Sequence, residues 1–152
     1  MDAIQDFEDF LGLLDRHAVR YLIIGGLAFI YHAKPRFTKD IDVWLGPDPD
    51  NLARANAALT EFGSPYLLNP ADESEILQLG VAPSRIDLMR EAAPLRFEEA
   101  WSRRVEGTYG RARACWIALE DLLAIKERID HPRHREDARV LRMVLERRRR
   151  RE

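Results

Sequence analysis

The sequence has little cysteine, little lysine and no long apolar run. Its 152 residues include one cysteine, Cys115, so no internal disulfide can form, and the apolar residues that follow it predict a buried thiol without a chemical role. No apolar run approaches the roughly 20 residues that a membrane-spanning helix needs. The N-terminal residues lack the basic and then apolar order of a signal peptide. We therefore expect a cytoplasmic protein that spans no membrane.

Lysine is also scarce relative to arginine. The chain has three lysines, Lys34, Lys39 and Lys126, and 21 arginines. Genome composition produces a bias of this kind. Two of these lysines fall within residues 21–45, and the third lies in the C-terminal part of the chain. Most basic positions evidently accept arginine, so the placement of two of the three lysines in this stretch draws attention to it.

The charge of the chain is unevenly distributed. Five consecutive arginines, Arg147–Arg151, stand at the C-terminal end, and removing their charge from a net charge of −2 leaves −7 for the rest. We divide the chain into a domain over residues 1–146 and a basic tail over 147–152. The tail suits contact with RNA or another polyanion. The simpler interpretation is a solvated helix end, where cations favour the helix dipole.

The hydrophobic pattern predicts one α/β domain. Length, 46% hydrophobic residues and 33% charged residues fit a globular protein with a substantial core. We expect a mixed, twisted sheet with flanking helices, closed by C-terminal helices. The spacing of apolar residues predicts helices over 3–17, 27–33, 50–62, 94–101, 119–129 and 133–148, and strands over 20–24, 40–45, 75–82, 85–89, 104–106 and 112–117.

The most informative stretch is residues 21–45, which predicts strand, glycine turn, short helix, basic loop and second strand. Asp40 and Asp42 are two apart on the second strand, so their carboxylates point to the same face. Like charges held so close are unfavourable unless a cation or a proton lies between them. Gly25 and Gly26 open the helix, and its backbone N–H groups suit an anion. The pattern indicates a site for a divalent metal and a phosphate.

Asp87 adds a third carboxylate in an apolar strand. If its strand pairs beside the strand of Asp40 and Asp42, the three carboxylates converge, and oxygen ligands of this kind suit one or two Mg²⁺ ions. The alternative is that each aspartate only forms salt bridges with local arginines such as Arg36 and Arg85. The glycine turn upstream makes the metal site the better interpretation.

The spacing of these motifs resembles the DNA polymerase β-type nucleotidyltransferase superfamily. The resemblance rests on Leu22-Ile-Ile-Gly-Gly, then Asp40-Ile-Asp42, then Asp87, and covers roughly residues 18–145. Residues 36–42 and the C-terminal segments 119–126 and 134–137 are similar to the small bacterial AbiEii-like and minimal nucleotidyltransferases of toxin–antitoxin systems. The resemblance implies a nucleotidyltransferase fold.

The resemblance also implies roles for individual residues. Asp40, Asp42 and Asp87 would be the catalytic and metal-binding set for Mg²⁺, and Asp87 would help to deprotonate the acceptor hydroxyl. Gly25 and Gly26 would receive the triphosphate of the nucleotide. Lys126 would neutralise phosphate charge, and Asp137 would face or orient it.

The implied activity is the transfer of a nucleoside monophosphate from an NTP, with ATP among the candidates, to an acceptor hydroxyl. The acceptor would be an RNA 3′ end, a protein side chain or a small molecule. Many family members carry Gly-Ser at the turn where this chain has Gly26, and AbiEii-type toxins are longer at the C-terminus. The alternative is therefore a weak or inactive antitoxin-like module that acts by binding a cognate partner protein.

Several other positions carry weaker predictions. Arg36 and Thr38 precede the aspartates, and each either contacts the triphosphate or fixes the loop by hydrogen bonding. His32 is better explained as an ordinary, partly buried histidine than as a substrate contact. We expect Lys34 and Lys39 to lie exposed beside the site. The tryptophans predict core packing, and the spacing of the histidines and aspartates over 130–137 matches no strong metal-ligand pattern.

Overall fold

Six strands and six helices make up the part of the chain that the computed structural model describes, which is residues 3–38, 40–81 and 85–151. The strands are β1 (Tyr21–Ile24), β2 (Asp40–Leu45), β3 (Leu77–Leu79), β4 (Arg85–Met89), β5 (Val105–Tyr109) and β6 (Ala112–Trp116). The helices are α1 (Ala3–Arg16), α2 (Gly25–His32), α3 (Pro49–Phe62), α4 (Phe97–Ser102), α5 (Leu119–Arg128) and α6 (Pro132–Arg151).

The strands form one mixed sheet in the order β3-β4-β2-β1-β6-β5. β2 pairs antiparallel with β1 and parallel with β4, whereas β6 pairs parallel with β1 and antiparallel with β5. The predicted α/β class with a mixed sheet and flanking helices is confirmed. The Asp87 strand pairs beside the Asp40–Asp42 strand, which meets the condition for the three carboxylates to converge.

The centre of the sheet is covered on both faces. All four residues of β1 are buried, and successive side chains of a strand point to opposite faces. α1 packs against α3 and β6 through buried apolar residues at helical spacing, namely Phe7, Phe10, Leu11 and Leu14. α2 packs against β1 and β2 and also touches α5 and α6. The closing C-terminal helices therefore reach the same helix that begins at the glycine turn.

Local signals fix the ends of α3. Asp48 caps its N-terminus by accepting a hydrogen bond from the Asn51 backbone N–H at 3.0 Å, and Pro49 follows in the first turn. Gly63 ends it in the left-handed conformation with a φ of 92°. The buried Asn51 side chain donates to the Gly46 carbonyl at 2.9 Å and thereby fixes the turn that leaves β2.

Some predicted boundaries were wrong. α2 begins at Gly25 rather than at residue 27, so both glycines belong to its first turn. β3 covers three residues instead of 75–82, because Gly80 turns the chain with a φ of 74°; residue 82 lies outside the described residues. α6 extends through Arg151, so the arginines of the predicted tail that the structure describes are helical.

Two further expectations concern burial and membranes. Cys115 is half-buried rather than buried, because Trp116 takes the core-facing position next to it on β6. The tryptophan prediction is confirmed for Trp44 and Trp116, which lie in the core, whereas Trp101 is half-buried. Across the ranges 3–38, 40–81 and 85–151, no helix combines the length and the apolar character needed to cross a bilayer.

Candidate active site

Strand register brings the three aspartates together. Asp42 on β2 lies directly opposite Asp87 on β4, and Asp40 is two residues before Asp42 on the same face. Each of the three side chains offers a carboxylate oxygen within 4.8 Å of the others. Asp87 is buried at 6% exposure, while Asp40 and Asp42 are half-buried. The site thus concentrates three acidic groups at the edge of the core.

The glycine turn lies against this carboxylate cluster. The last residue of β1, Ile24, pairs with Asp42, and the next residue, Gly25, has a φ of 70°. A Cβ atom at Gly25 would overlap the carboxylate of Asp42 and would come within 3.0 Å of its Cγ. Glycine is therefore required at this position both by the left-handed backbone and by the space that Asp42 occupies.

The N-terminus of α2 starts at this turn without a capping side chain. Ile24 occupies the N-cap position and makes no side-chain cap hydrogen bond. The first N–H groups of a helix have no partner within the helix and carry its positive dipole end. The arrangement places backbone donors beside the carboxylate cluster, which is what a metal–phosphate complex needs.

Gly26 borders the loop that precedes β2. A Cβ atom at Gly26 would lie 3.0 Å from Thr38 Oγ1 and 3.5 Å from Arg36 Nη2. The Thr38 hydroxyl also lies 3.3 Å from the Asp40 carbonyl oxygen, to which it donates a hydrogen bond. Thr38 thus brings a hydroxyl to the glycine turn, and a serine side chain at position 26 would crowd it.

Arg85 partly neutralises the cluster. Its Nη2 donates to Asp40 Oδ2 at 2.8 Å and to Asp87 Oδ2 at 3.2 Å, and its Nε lies 3.1 Å from Asp87 Oδ1. The local salt bridges that were the alternative interpretation of the aspartates therefore form for Arg85. They do not form for Arg36, which pairs with Asp137 at 2.6 Å.

Asp42 is the member of the cluster that Arg85 does not contact. Burial, together with the negative charges of Asp87 and Asp40, raises the pKa of the Asp42 carboxyl to about 7. This carboxyl therefore keeps its proton to a much higher pH than an ordinary aspartate does. A single guanidinium is not enough to hold three ionised carboxylates at this separation.

The residues fit a divalent cation. The donor set is made entirely of carboxylate oxygens, which is the chemistry that Mg²⁺ prefers. Asp87 Oδ1 is buried and makes no hydrogen bond, since its contact with Arg85 Nε has ion-pair distance but not hydrogen-bond geometry. In a buried position this oxygen has an ion-pair contact but no hydrogen-bond donor, so its charge is incompletely compensated. One or two divalent cations would supply the charge that Arg85 leaves uncompensated.

A second charged cluster joins the C-terminal helices to the glycine turn. Asp137 on α6 accepts from Arg36 at 2.6 Å and lies 3.1 Å from Lys126 Nζ, while Lys126 also lies 3.2 Å from His134 Nδ1. Arg36 stacks on Phe29 of α2, with its guanidinium 4.3 Å from the ring centroid. Asp137 therefore faces Lys126, and the cluster fixes Arg36 next to Gly26.

Lys126 is less available than the sequence implied. It is buried at 4% exposure, and burial lowers its pKa although Asp137 opposes that shift. The structure places it in the second cluster rather than in contact with the carboxylates of the first. A direct phosphate contact by Lys126 stays a prediction.

The remaining sequence candidates divide into buried and exposed groups. His32 is buried, and its Nε2 lies 2.6 Å from the Ile117 carbonyl oxygen, which agrees with an ordinary core histidine. Lys34 is exposed, and Lys39 lies outside the described residues. His131 is exposed and His134 belongs to the second cluster.

Arg85 has a larger role at the site than the sequence predicted. The sequence indicated Arg85 only as a salt-bridge partner in the alternative interpretation, but the residue contacts two of the three aspartates. The signal was present in the sequence, because a basic residue two positions before Asp87 on a strand must share its face.

The first prediction concerns Gly25. Gly25→Ala should lower the free energy of unfolding by about 1–2 kcal/mol, because alanine is strained in the left-handed conformation. It should also displace the Asp42 carboxylate and abolish the rise in melting temperature that we expect Mn²⁺ to produce in the wild type. The matched control is Gly63→Ala, which has a φ of 92° but no atom within 4 Å of the new Cβ. Equal loss of Mn²⁺ stabilisation in both variants would contradict the account.

The second prediction concerns pH. Because the pKa of Asp42 is raised, the folded protein retains a proton that the unfolded chain has lost between about pH 4 and pH 7. The contribution of Asp42 to stability is therefore complete below pH 4 and declines as the pH rises to about 7, by at most about 4 kcal/mol.

The measurement for this prediction is urea unfolding in EDTA at several pH values. Asp42→Asn should remove that decline, so its stability relative to the wild type should increase from pH 4 to pH 8. Asp50→Asn, which alters an exposed carboxylate of α3, is the control and should keep the slope of the wild type. Parallel curves for Asp42→Asn and the wild type would show that Asp42 is not the strained member of the cluster.

Comparison with known proteins gives a structural match but no sequence match. No protein-family model matches the chain, and neither does any curated protein. The chain is similar to the crystal structure of ANT(2")-Ia in complex with adenylyl-2"-tobramycin, with a TM-score of 0.60 and 16% sequence identity. The match covers 93% of this chain and 88% of the other. At this identity the similarity establishes the fold alone: the chain has a nucleotidyltransferase fold, with a six-stranded mixed sheet and flanking helices.

Proposed function

We propose that the chain is a divalent-metal-dependent nucleotidyltransferase that moves a nucleoside monophosphate from an NTP to an acceptor hydroxyl. The observation that carries the proposal is the meeting of Asp40, Asp42 and Asp87 beside the uncapped, glycine-opened N-terminus of α2. The fold supports it, because a structure of the same architecture is that of ANT(2")-Ia in complex with adenylyl-2"-tobramycin. ATP is therefore the first nucleotide to test, and Mg²⁺ is the first metal.

The residues of this chain would divide the work between binding and proton transfer. The backbone N–H groups at Gly25 and Gly26 would donate to the phosphates, with the Thr38 hydroxyl and the Arg36 guanidinium beside them. The aspartates would hold Mg²⁺, which when bound neutralises phosphate charge and polarises the phosphorus under attack. Asp87 is the proposed acceptor for the hydroxyl proton.

The transfer itself would follow the in-line course of phosphoryl chemistry. The acceptor oxygen forms a bond to the α-phosphorus while the bond from that phosphorus to the pyrophosphate oxygen breaks. The hydroxyl proton leaves to Asp87, and pyrophosphate departs with the electron pair of the broken bond. The second cluster would act by holding Arg36 in place and by supplying the Lys126 charge near the phosphates.

The positive charge at the C-terminal end of α6 is the basis for the acceptor that we propose. Arg147–Arg151 are all exposed. Among the described residues, this group makes a side-chain contact through Arg148, which lies 3.5 Å from His32 Nδ1. Like charges three and four residues apart on a helix repel each other, so a polyanion would relieve an unfavourable arrangement. Among the three acceptor classes, this favours an RNA 3′ end over a protein side chain or a small molecule.

The third prediction tests the enzyme. Incubation with each labelled NTP, Mg²⁺ and total RNA and protein should give label incorporation, with ATP as the preferred donor. Asp42→Asn and Asp87→Asn should each lower incorporation at least about 100-fold, because removal of a metal ligand weakens both binding and charge neutralisation. Asp50→Asn should retain the wild-type rate. Absence of incorporation with every NTP, together with no NTP-dependent thermal shift, would reject the enzyme and favour the alternative of a partner-binding module.

The fourth prediction tests the acceptor. Label should enter the RNA fraction, and replacement of Arg147, Arg149, Arg150 and Arg151 by glutamine should raise the KM for RNA with little change in the KM for ATP. The wild-type rate should fall steeply between 50 and 200 mM salt, since polyanion binding depends on counterion release. Arg111→Gln, on the exposed turn of the β5–β6 hairpin, is the control. Label that enters the protein fraction at all salt concentrations would contradict an RNA acceptor.

The biological setting is a separate part of the proposal. The resemblance to small AbiEii-like proteins supports a toxin–antitoxin system, a cytoplasmic location and a cognate partner protein. A gene for a small regulator beside the gene for this chain would support that setting.

A further inference from the structure

Arg85 lies over two of the three proposed metal ligands. Its guanidinium contacts Asp40 Oδ2 at 2.8 Å and Asp87 Oδ2 at 3.2 Å, and it approaches Asp87 Oδ1 at 3.1 Å. Three of the four carboxylate oxygens of these two residues are therefore already in contact with a cation of the chain itself.

The position of Arg85 next to these carboxylates follows from the geometry of the two strands. Arg85 is the register partner of Asp40 in the parallel β2–β4 pair, and it is two residues before Asp87 on its own strand. Residues two apart on a strand share a face, and directly paired residues lie side by side. The Arg85 side chain is thus placed next to both carboxylates by the backbone.

A divalent cation and Arg85 compete for the same carboxylate oxygens. A cation held by Asp40, Asp42 and Asp87 would bind carboxylate oxygens that now accept from Arg85, and the two positive charges would repel each other at that distance. The Arg85 side chain is 36% exposed, whereas that of Asp87 is 9% exposed. The carboxylate is fixed and the guanidinium has a route to solvent, so Arg85 is the group that moves.

A guanidinium that leaves these carboxylates would remain next to the aspartate cluster, which Gly25 borders through Asp42. Arginine matches phosphate and carboxylate equally well, since both accept two parallel N–H donors. A metal–nucleotide complex brings a cation for the aspartates and an anion for the arginine in one binding event. Free metal brings only the cation and leaves Arg85 without a partner.

We infer that Arg85 exchanges partners, binding Asp40 and Asp87 in the metal-free protein and the nucleotide phosphates once a divalent cation occupies the aspartates. The inference rests on the proposed function. It makes Arg85 a nucleotide-binding residue and the cause of a preference for metal–nucleotide over free metal. An arginine that only supported the strands would hold the carboxylates in both states and would give no such preference.

The experiment compares Mn²⁺ alone with Mg²⁺ and a non-hydrolysable ATP analogue, using the full chain. Bound Mn²⁺ is measured by the loss of the free-ion paramagnetic resonance signal, and analogue binding by calorimetry. Arg85→Gln should bind Mn²⁺ on the order of tenfold more tightly than the wild type, because a competing charge is removed. It should bind the Mg²⁺–analogue complex on the order of tenfold more weakly, because a charged phosphate donor is lost.

Two further variants make the result interpretable. Arg85→Lys retains the charge without the planar donor pair. Its affinities for Mn²⁺ and for the Mg²⁺–analogue complex should therefore lie between those of the wild type and those of Arg85→Gln. If Arg85→Gln does not fold, Arg85→Lys is compared with the wild type instead. Arg113→Gln removes an exposed arginine on β6 and should change neither affinity. Melting temperatures in EDTA establish that each variant is folded.

The outcomes separate the inference from the proposed function. If the wild type binds Mn²⁺ but Arg85→Gln binds it no more tightly, or if the analogue affinity is unchanged, the exchange is wrong while the nucleotidyltransferase stands. If neither the wild type nor Arg85→Gln binds Mn²⁺ or the analogue, the proposed function itself fails. Opposite changes in the two affinities would support the exchange.

Discussion

Repulsion among three carboxylates is the constraint on which the rest of the site depends. Parallel pairing of β2 and β4 places Asp42 opposite Asp87, and the two-residue period of the strand adds Asp40 on the same face. Arg85 contacts two of the three aspartates. Burial, and then the negative charges of Asp87 and Asp40, raise the pKa of the Asp42 carboxyl to about 7. Such an arrangement is unfavourable for folding unless a further cation offsets it, so its presence is best understood as a requirement of function.

The second charged cluster explains how a short C-terminal region contributes to the site. Asp137 of α6 joins Lys126 of α5 to Arg36 of the loop before β2, and Arg36 stacks on Phe29 of α2. Through Arg36 these contacts reach the helix that begins at the glycine turn. The closing helices thus support the glycine-turn side of the site, while the sheet positions its carboxylate side. The burial of Lys126 follows from this joining role.

Much of the fold and of the candidate site could be predicted from the sequence, because the signals were local. The alternation of Asp40 and Asp42 with Ile41 and Val43 fixed the face of the carboxylates, and the glycines marked the turn. The partners of charged residues could not be predicted in the same way. The pairing of Arg36 with Asp137 spans about a hundred positions, and whether Arg85 contacts the aspartates depends on strand register. The boundaries that were wrong, at α2 and β3, depend on the backbone conformations of Gly25 and Gly80, which composition does not specify.

The central claim is that the three aspartates form a metal site that Arg85 covers until nucleotide and metal arrive together. The most direct measurement is a crystal structure of the chain with Mn²⁺ and a non-hydrolysable ATP analogue, with the metal located by its anomalous scattering. The account predicts an anomalous peak at coordination distance from carboxylate oxygens of Asp40, Asp42 and Asp87, about 2.0–2.4 Å away, with the Arg85 guanidinium on a phosphate oxygen. Nucleotide bound elsewhere, with Arg85 still paired to Asp40 and Asp87 and no peak among the carboxylates, would contradict it.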